Sequence, residues 1–545
     1  MTHETSASFS TQISCAEALV RLLRDRYAVD TVFGIPGVHT VPLYRGLEAG
    51  GLRHVTPRHE QGAGFMADGY ARASGKPGVC FIITGPGMTN IATAMGQALA
   101  DSVPMLVISS VNRRDTLGRG QGRLHELPSQ QNVLAGVSRF SHTLLDPSAL
   151  PEVLARAFAV FQSARPGPVH IEIPIDLFEA PIDLPDTASP TRLYRAGAHP
   201  EGIALAAEWL RQAQAPLVLL GGGCAEASKA ARTLVEHLDA PTVTTINAKG
   251  VLGRGHPLDL GANATWPEVR ALARDADVIL AVGTELGETD YDVVFDDGFT
   301  LTGRLIRIDL EAEQLVRNQA TALGLVSDAQ AALEALAAHF PAPLARQGAA
   351  RVRAVHEALA LPQRPDMAPF VPLYTALDKA LPEAILVGDS TAPVYAGNHL
   401  VERAAPRRYF NASTGYGTLG YGLPAALGAQ LAAPGTPVVA LVGDGGAMFT
   451  LSELATAVDE GLPVVVVLWN NSGYEEIRCY MDAHGVARVG VDPTPPDFQC
   501  LADGFGLASH RVESPIALDL ALSKVSRTSP TLIEIDAERW QAALD

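Results

Sequence analysis

Asp444 and Asn471 are the residues of this chain whose types and spacing first suggest chemistry. The turn Gly443-Asp444-Gly445-Gly446-Ala447 follows an apolar β-branched run, Val438 to Val442, and Asn470-Asn471 closes a second apolar run, Pro463 to Trp469. Glycines let backbone N–H groups come close to an anionic phosphate, and a helix starting there adds the positive end of its dipole. Asp444 and Asn471 bring hard oxygen donors, and the carbonyl of Gly473 a third, a set suited to Mg²⁺ clamped onto a diphosphate. Gly-Asp-Gly alone is an ordinary tight turn; its coupling to Asn-Asn at the end of the next strand gives it weight. A second candidate is Glu60, in Arg58-His59-Glu60-Gln61-Gly62-Ala63. It stands where a strand gives way to a helix and can project from the sheet edge into a cleft, although an acid there is also stabilised by the helix dipole alone.

The elements needed to position these residues follow from the apolar runs. Val438 to Trp469 reads as a βαβ unit with its polar residues where parallel strands end, the place where open α/β sheets bind ligands. The same rhythm occurs twice upstream. Residues 1–180 form a first α/β domain, with strands at Thr31 to Phe33, Val79 to Ile83 and Pro104 to Ser109 and a glycine-rich turn Thr84-Gly85-Pro86-Gly87. A linker is expected near Pro181 to Pro200. A second α/β domain over 195–340 has strands at Pro216 to Leu220, Val278 to Val282 and Leu305 to Leu310, the first two ending in Gly221-Gly222-Gly223 and Gly283-Thr284. A second linker is expected over Pro341 to Pro365, and a third domain over 366–545. The expected fold class is α/β: three doubly wound parallel-sheet domains.

Composition bounds the function. A chain of 545 residues is too long for one core, and 47% hydrophobic against 18% charged residues describes a globular, core-rich protein. A net charge of -18 argues against nucleic acid or an anionic membrane as partner. Five scattered cysteines without a CxxC pair read as reduced thiols. The polar N-terminus lacks a signal-peptide pattern, and no apolar run reaches the ~18 residues of a membrane helix, so a soluble, cytoplasmic protein is expected.

The pairing of Asp444 with Asn471, together with Arg58 to Ala63 and Thr84-Gly85-Pro86-Gly87-Met88-Thr89-Asn90, resembles the thiamine diphosphate enzymes of the acetolactate synthase and 2-oxo acid decarboxylase type, over nearly the whole chain. The resemblance makes the three domains pyrimidine-binding, central Rossmann-like and diphosphate-binding. It implies that Glu60 hydrogen-bonds the aminopyrimidine ring and is the catalytic acid. Leu419, in Gly415-Tyr416-Gly417-Thr418-Leu419-Gly420, becomes the wedge that bends the cofactor, and the Gly417 carbonyl accepts from its 4′-amino group. Ser390, Thr391, Gly443, Asp444, Gly445, Gly446, Ala447, Asn471, Gly473 and Tyr474 would contact cofactor, with Asp444, Asn471 and Gly473 on Mg²⁺. A homodimer or homotetramer is implied, with the cofactor between subunits.

The small-molecule substrate would be a 2-oxo acid. Gly34-Ile35-Pro36-Gly37-Val38-His39-Thr40-Val41 and Glu475-Glu476-Ile477-Arg478 resemble 5-guanidino-2-oxopentanoate decarboxylases, placing Val38, His39, Glu475 and Glu476 at the substrate, since a carboxylate is the natural partner of a guanidinium. An acetolactate synthase acting on pyruvate is the alternative. Against it, His125-Glu126-Leu127-Pro128-Ser129-Gln130 replaces an expected Phe-Gln-Glu stretch, a lysine expected near Ser141-His142 is missing, and Arg-Gln-Trp is not found after Asn471. Those departures also weigh against FAD, which the central glycine turns could otherwise take. A simple pyruvate or benzoylformate decarboxylase ranks third, because Ile83 stands where a pocket histidine would be and a His-His pair is absent. Retention of Glu60, Asp444, Asn471 and the Gly417/Leu419 turn argues against a non-catalytic binding paralogue.

Overall fold

The computed structural model describes residues 13–184, 191–292 and 296–544; the first twelve residues and the middle of the expected first linker lie outside them. Three parallel sheets carry the chain. In each, the strands are near-continuous apolar runs buried along most of their length, as sheets covered by helices on both faces require. The central sheet shows how this works residue by residue. Leu217 and Leu219 point into one apolar cluster, Val218 and Leu220 into the other, because successive side chains of a strand leave on opposite faces. Truncating such a buried leucine to alanine costs about 2–5 kcal/mol.

The N-terminal sheet runs Arg53–Val55, Thr31–Gly34, Gly78–Ile82, Met105–Val111, Pro168–Pro174, Phe140–Thr143. Numbered along the chain, that is the order 2-1-3-4-6-5. The C-terminal sheet runs Tyr409–Asn411, Ile385–Gly388, Val438–Gly443, Val465–Asn470, Thr531–Asp536, Ala508–Val512, the same order again. The central sheet, Thr242–Thr244, Pro216–Leu220, Val278–Val282, Arg304–Asp309, Leu323–Val326, keeps its first four positions as 2-1-3-4 and ends in 5. Each sheet therefore has a topological switch point between its first and third strands, where the connections leave in opposite directions and open a crevice beyond the carboxyl ends.

Two expectations need correcting here. Pro181–Ile182, placed in the first linker, is a short strand paired antiparallel with Ile13–Ser14. The second linker contains the helix Gly348–Leu359, whose Val352 and Leu359 are buried against the central sheet. By contact density the chain divides into two compact units: residues 1–71 with 76–193, which hold the N-terminal sheet, and residues 72–75 with 194–545, which hold the other two.

Candidate active site

In the N-terminal unit the switch point lies between the turns after Thr31–Gly34 and Gly78–Ile82. His39, from the first, bonds through Nδ1 to Thr84 Oγ1, from the second, at 3.0 Å. Thr84 is fixed in turn by Ser110, whose Oγ accepts its N–H at 3.0 Å and lies 2.8 Å from its hydroxyl. Gly85 has φ +72°, and a Cβ there would fall 2.5 Å from the His125 carbonyl oxygen, so the turn admits only glycine. This approach brings the His125 ring edge-on to His39, centroids 5.4 Å apart. The expectation that no histidine pair exists is therefore corrected: the two are remote in sequence and meet across the crevice. Burial first, and then the neighbouring His125, hold His39 below the usual imidazole range. Ile83 packs its Cδ1 against Gly37.

Glu60 is the first residue of the helix Glu60–Ser74 and is half-buried. Asn90, one turn into the helix Pro86–Ala100, donates from Nδ2 to Glu60 Oε2 at 2.9 Å. Gly87 lets that helix pass close; a Cβ on it would lie 3.3 Å from Glu60 Oε1. Behind Thr84 a cleft of about 290 Å³ runs along the strand ends, with Asn112, Gln130, Thr143 and Glu172 in its wall. Gln130 ties its parts together, accepting from Gly85 N at 2.9 Å and donating to Glu172 Oε2 at 3.1 Å. Burial raises the Glu172 carboxyl, against hydrogen bonds from Thr143 and Gln130.

In the C-terminal sheet the switch point gathers nearly every predicted cofactor residue. The strand register sets Gly443 opposite Trp469, so Asp444 leaves the sheet level with Asn470. Asn470 donates to Glu534 at 2.9 Å, and Asn471 follows it in the loop. Asp444 is 4% exposed, and its Oδ2 accepts the Gly473 N–H at 2.9 Å. Burial raises its carboxyl, and the N–H groups of Gly473, Gly445 and Asn471 oppose the rise. The glycines mark close approaches: a Cβ on Gly443 would meet Thr391 Oγ1 at 2.8 Å, one on Gly445 the Tyr474 ring at 2.6 Å, one on Gly446 the Asp389 carboxylate at 3.3 Å. Ser390 Oγ is buried without a hydrogen-bond partner among the described residues. An orphaned hydroxyl beside glycine N–H groups and a desolvated carboxylate fits a diphosphate held with a cation. Gly417, φ +73°, is exposed and Leu419 half-buried on the neighbouring turn.

Asp389, which sequence reasoning passed over beside Ser390, is 1% exposed, and burial pushes its carboxyl up to about 6. The acid pair differs within itself. Glu475 Oε2 lies 3.4 Å from Arg478 Nη1, and Arg478 also donates to the Ser472 carbonyl at 3.0 Å. Glu476 is exposed on the first turn of the helix Glu475–Ala483. Val38 is 67% exposed. No group of three His, Cys, Asp or Glu side chains that could hold a metal ion gathers among the described residues. No helix among them is long and apolar enough to cross a membrane.

The central crevice is different. A Cβ on Gly221 would sit 2.0 Å from the Gly283 carbonyl oxygen, and one on Gly283 2.8 Å from Gly223 Cα. The glycines proposed for FAD are spent on each other.

Known proteins resemble the chain along most of its length. Three family models match in order: the N-terminal TPP binding domain of thiamine pyrophosphate enzymes over residues 13–133, their central domain over 203–336 and their C-terminal TPP binding domain over 389–535. A probable 2-ketoarginine decarboxylase of Pseudomonas aeruginosa is 45% identical over 529 residues, covering 96% of this chain and 94% of that one. The acetolactate synthase large subunit of Parasynechococcus marenigrum is 31% identical over 97% of this chain and 88% of its own. Isozyme 1 of Escherichia coli is 30% identical over 96% and 94%.

Proposed function

From the premise that the chain belongs to the thiamine pyrophosphate enzymes, we propose that it decarboxylates 5-guanidino-2-oxopentanoate with Mg²⁺ as the second cofactor. The observation that carries the substrate is the 45% identity, across nearly the full length of both chains, to a protein named for 2-ketoarginine, which is this guanidino acid. When bound, thiamine diphosphate supplies the thiazolium electron sink that lets carbon dioxide leave a 2-oxo acid. The protein's part is to hold and orient. Asp444, Asn471 and the Gly473 carbonyl would hold the metal; Ser390, Thr391 and the N–H groups of Gly443 to Ala447 would face the diphosphate, with Tyr474 packed on Gly445. Glu60, held by Asn90, would hydrogen-bond the aminopyrimidine of the bound cofactor, and Gly417 and Leu419 would line its bend.

At the substrate, His39 on Thr84, beside exposed Val38, contacts the 2-oxo acid end. Glu476 takes the guanidinium, because Glu475 is already engaged with Arg478. The active assembly is a homodimer or homotetramer in the cytoplasm. The test is carbon dioxide release from purified enzyme with thiamine diphosphate, with Mg²⁺ or with chelator, comparing the guanidino acid and pyruvate and assaying acetolactate in the pyruvate reaction. Strong preference for the guanidino acid, lost on chelation and restored by Mg²⁺, is expected. Acetolactate from pyruvate with no turnover of the guanidino acid would replace this reading with the carboligase one.

A further inference from the structure

Asp389 is the one fully buried carboxylate where three cofactor-facing segments of the C-terminal sheet cross. Its Oδ1 accepts the Ser390 N–H at 2.8 Å, and its Oδ2 accepts the Gly420 N–H at 2.8 Å, with that of Gly422 at 3.5 Å. Gly446, in the glycine turn after Val438–Gly443, approaches the same carboxylate closely enough that a Cβ would crowd it at 3.3 Å. The next peptide, Gly420–Tyr421, is held as well, since Thr450 Oγ1 donates to the Gly420 carbonyl at 2.7 Å. Among the described residues this carboxylate accepts its hydrogen bonds from backbone N–H groups, so burial is offset by peptide dipoles and raises its carboxyl. A carboxylate is costly to bury on such terms.

We infer that Asp389 is the positioning residue of this site: by clamping the Leu419–Gly420 peptide against Ser390 and the glycine turn, it fixes the bend-setting turn relative to the diphosphate contacts. Leu419 precedes the clamped N–H directly, so the plane of that peptide determines where its side chain leaves the backbone. The assignment rests on the family reading for the roles of Leu419 and Gly417, while the clamp itself is a property of this chain.

The experiment uses full-length wild type, Asp389→Asn and Thr450→Val. Asparagine keeps the shape but turns one acceptor into a donor facing a backbone N–H. Hydrogen exchange of the apo-protein is read over residues 417–422, thiamine diphosphate affinity by tryptophan quenching with Mg²⁺, and turnover at saturating cofactor. For Asp389→Asn the expected results are faster exchange at Gly420 and Gly422, cofactor affinity weaker by about tenfold to a hundredfold, and a turnover loss that saturating cofactor does not restore. Thr450→Val should move the same three readouts less. A variant that only melts earlier, with wild-type exchange over 417–422 and wild-type affinity and turnover, makes Asp389 purely structural and overturns the inference. Wild-type protein that fails to bind thiamine diphosphate overturns both it and the family-based roles, and shows itself before any substitution is compared.

Discussion

The N-terminal and C-terminal sheets share one strand order, 2-1-3-4-6-5, yet their switch points carry opposite chemistry. The N-terminal crevice presents imidazoles and hydroxyls, His39, His125, Thr84 and Ser110, with Glu60 steadied by a neutral amide. The C-terminal crevice presents buried carboxylates, Asp444 and Asp389, ringed by backbone N–H groups. The difference teaches that topology supplies only the crevice. What it does is set by a handful of residues at the ends of the first four strands and in the turns that follow them.

The sharpest way to separate the two is to break each alone. Glu60→Gln preserves the length of the side chain and an acceptor for Asn90. It should cut turnover by about 10²–10⁴-fold, while thiamine diphosphate and Mg²⁺ affinity and the melting temperature stay close to wild type. Asp444→Asn should do the reverse, weakening cofactor and metal binding first. Initial rates and quenching titrations decide, and loss of cofactor binding in Glu60→Gln would dissolve the division of labour.

Next in size is the acid pair. Glu476→Gln should raise KM for the guanidino acid by about tenfold to a hundredfold and leave KM for pyruvate unchanged. Glu475→Gln should have a smaller effect, because it removes a partner of Arg478 rather than of substrate. Equal KM values for wild type and Glu476→Gln on the guanidino acid would move the specificity elsewhere, with the Glu172 cleft the next place to look.

The smallest effect is a divergence with pH. His170 is fully buried between Ser109 and Ser141, its imidazole lowered to about 3, and His39 is lowered too. These groups contribute stability that is present above the ordinary imidazole range and lost as pH falls through it. Asp389, raised to about 6, contributes stability that is present below the ordinary carboxylate range and lost as pH rises through about 6. Acidification from about pH 7.5 to about pH 5.5 should therefore loosen Met105–Val111 and Pro168–Pro174 while tightening Ile385–Gly388, the strand that ends at Asp389. Hydrogen exchange corrected for intrinsic rates reads both, and parallel changes in the two regions would count against this account.

What was legible in the sequence was whatever lies along a strand and just past its end. Apolar runs gave the parallel strands, and the residues following them gave Asp444, Asn471 and Glu60. Contacts across the crevice were not legible, because nothing in local spacing tells His39 that His125 will face it or Gly420 that Asp389 will hold it. The helix Gly348–Leu359 had a readable signal, Val352, Val355 and Leu359 at helical spacing, masked by alanine and arginine in an Ala-, Arg- and Pro-rich stretch. The strand Pro181–Ile182 had none, as two residues carry no period.

At the central switch point, Gly221 and Gly223 rest on Gly283 backbone to backbone. Any side chain gained at these glycines pushes the two turns apart and costs stability, so neither turn can add a side chain to the central crevice by a single substitution without opening the contact that holds the strand ends together.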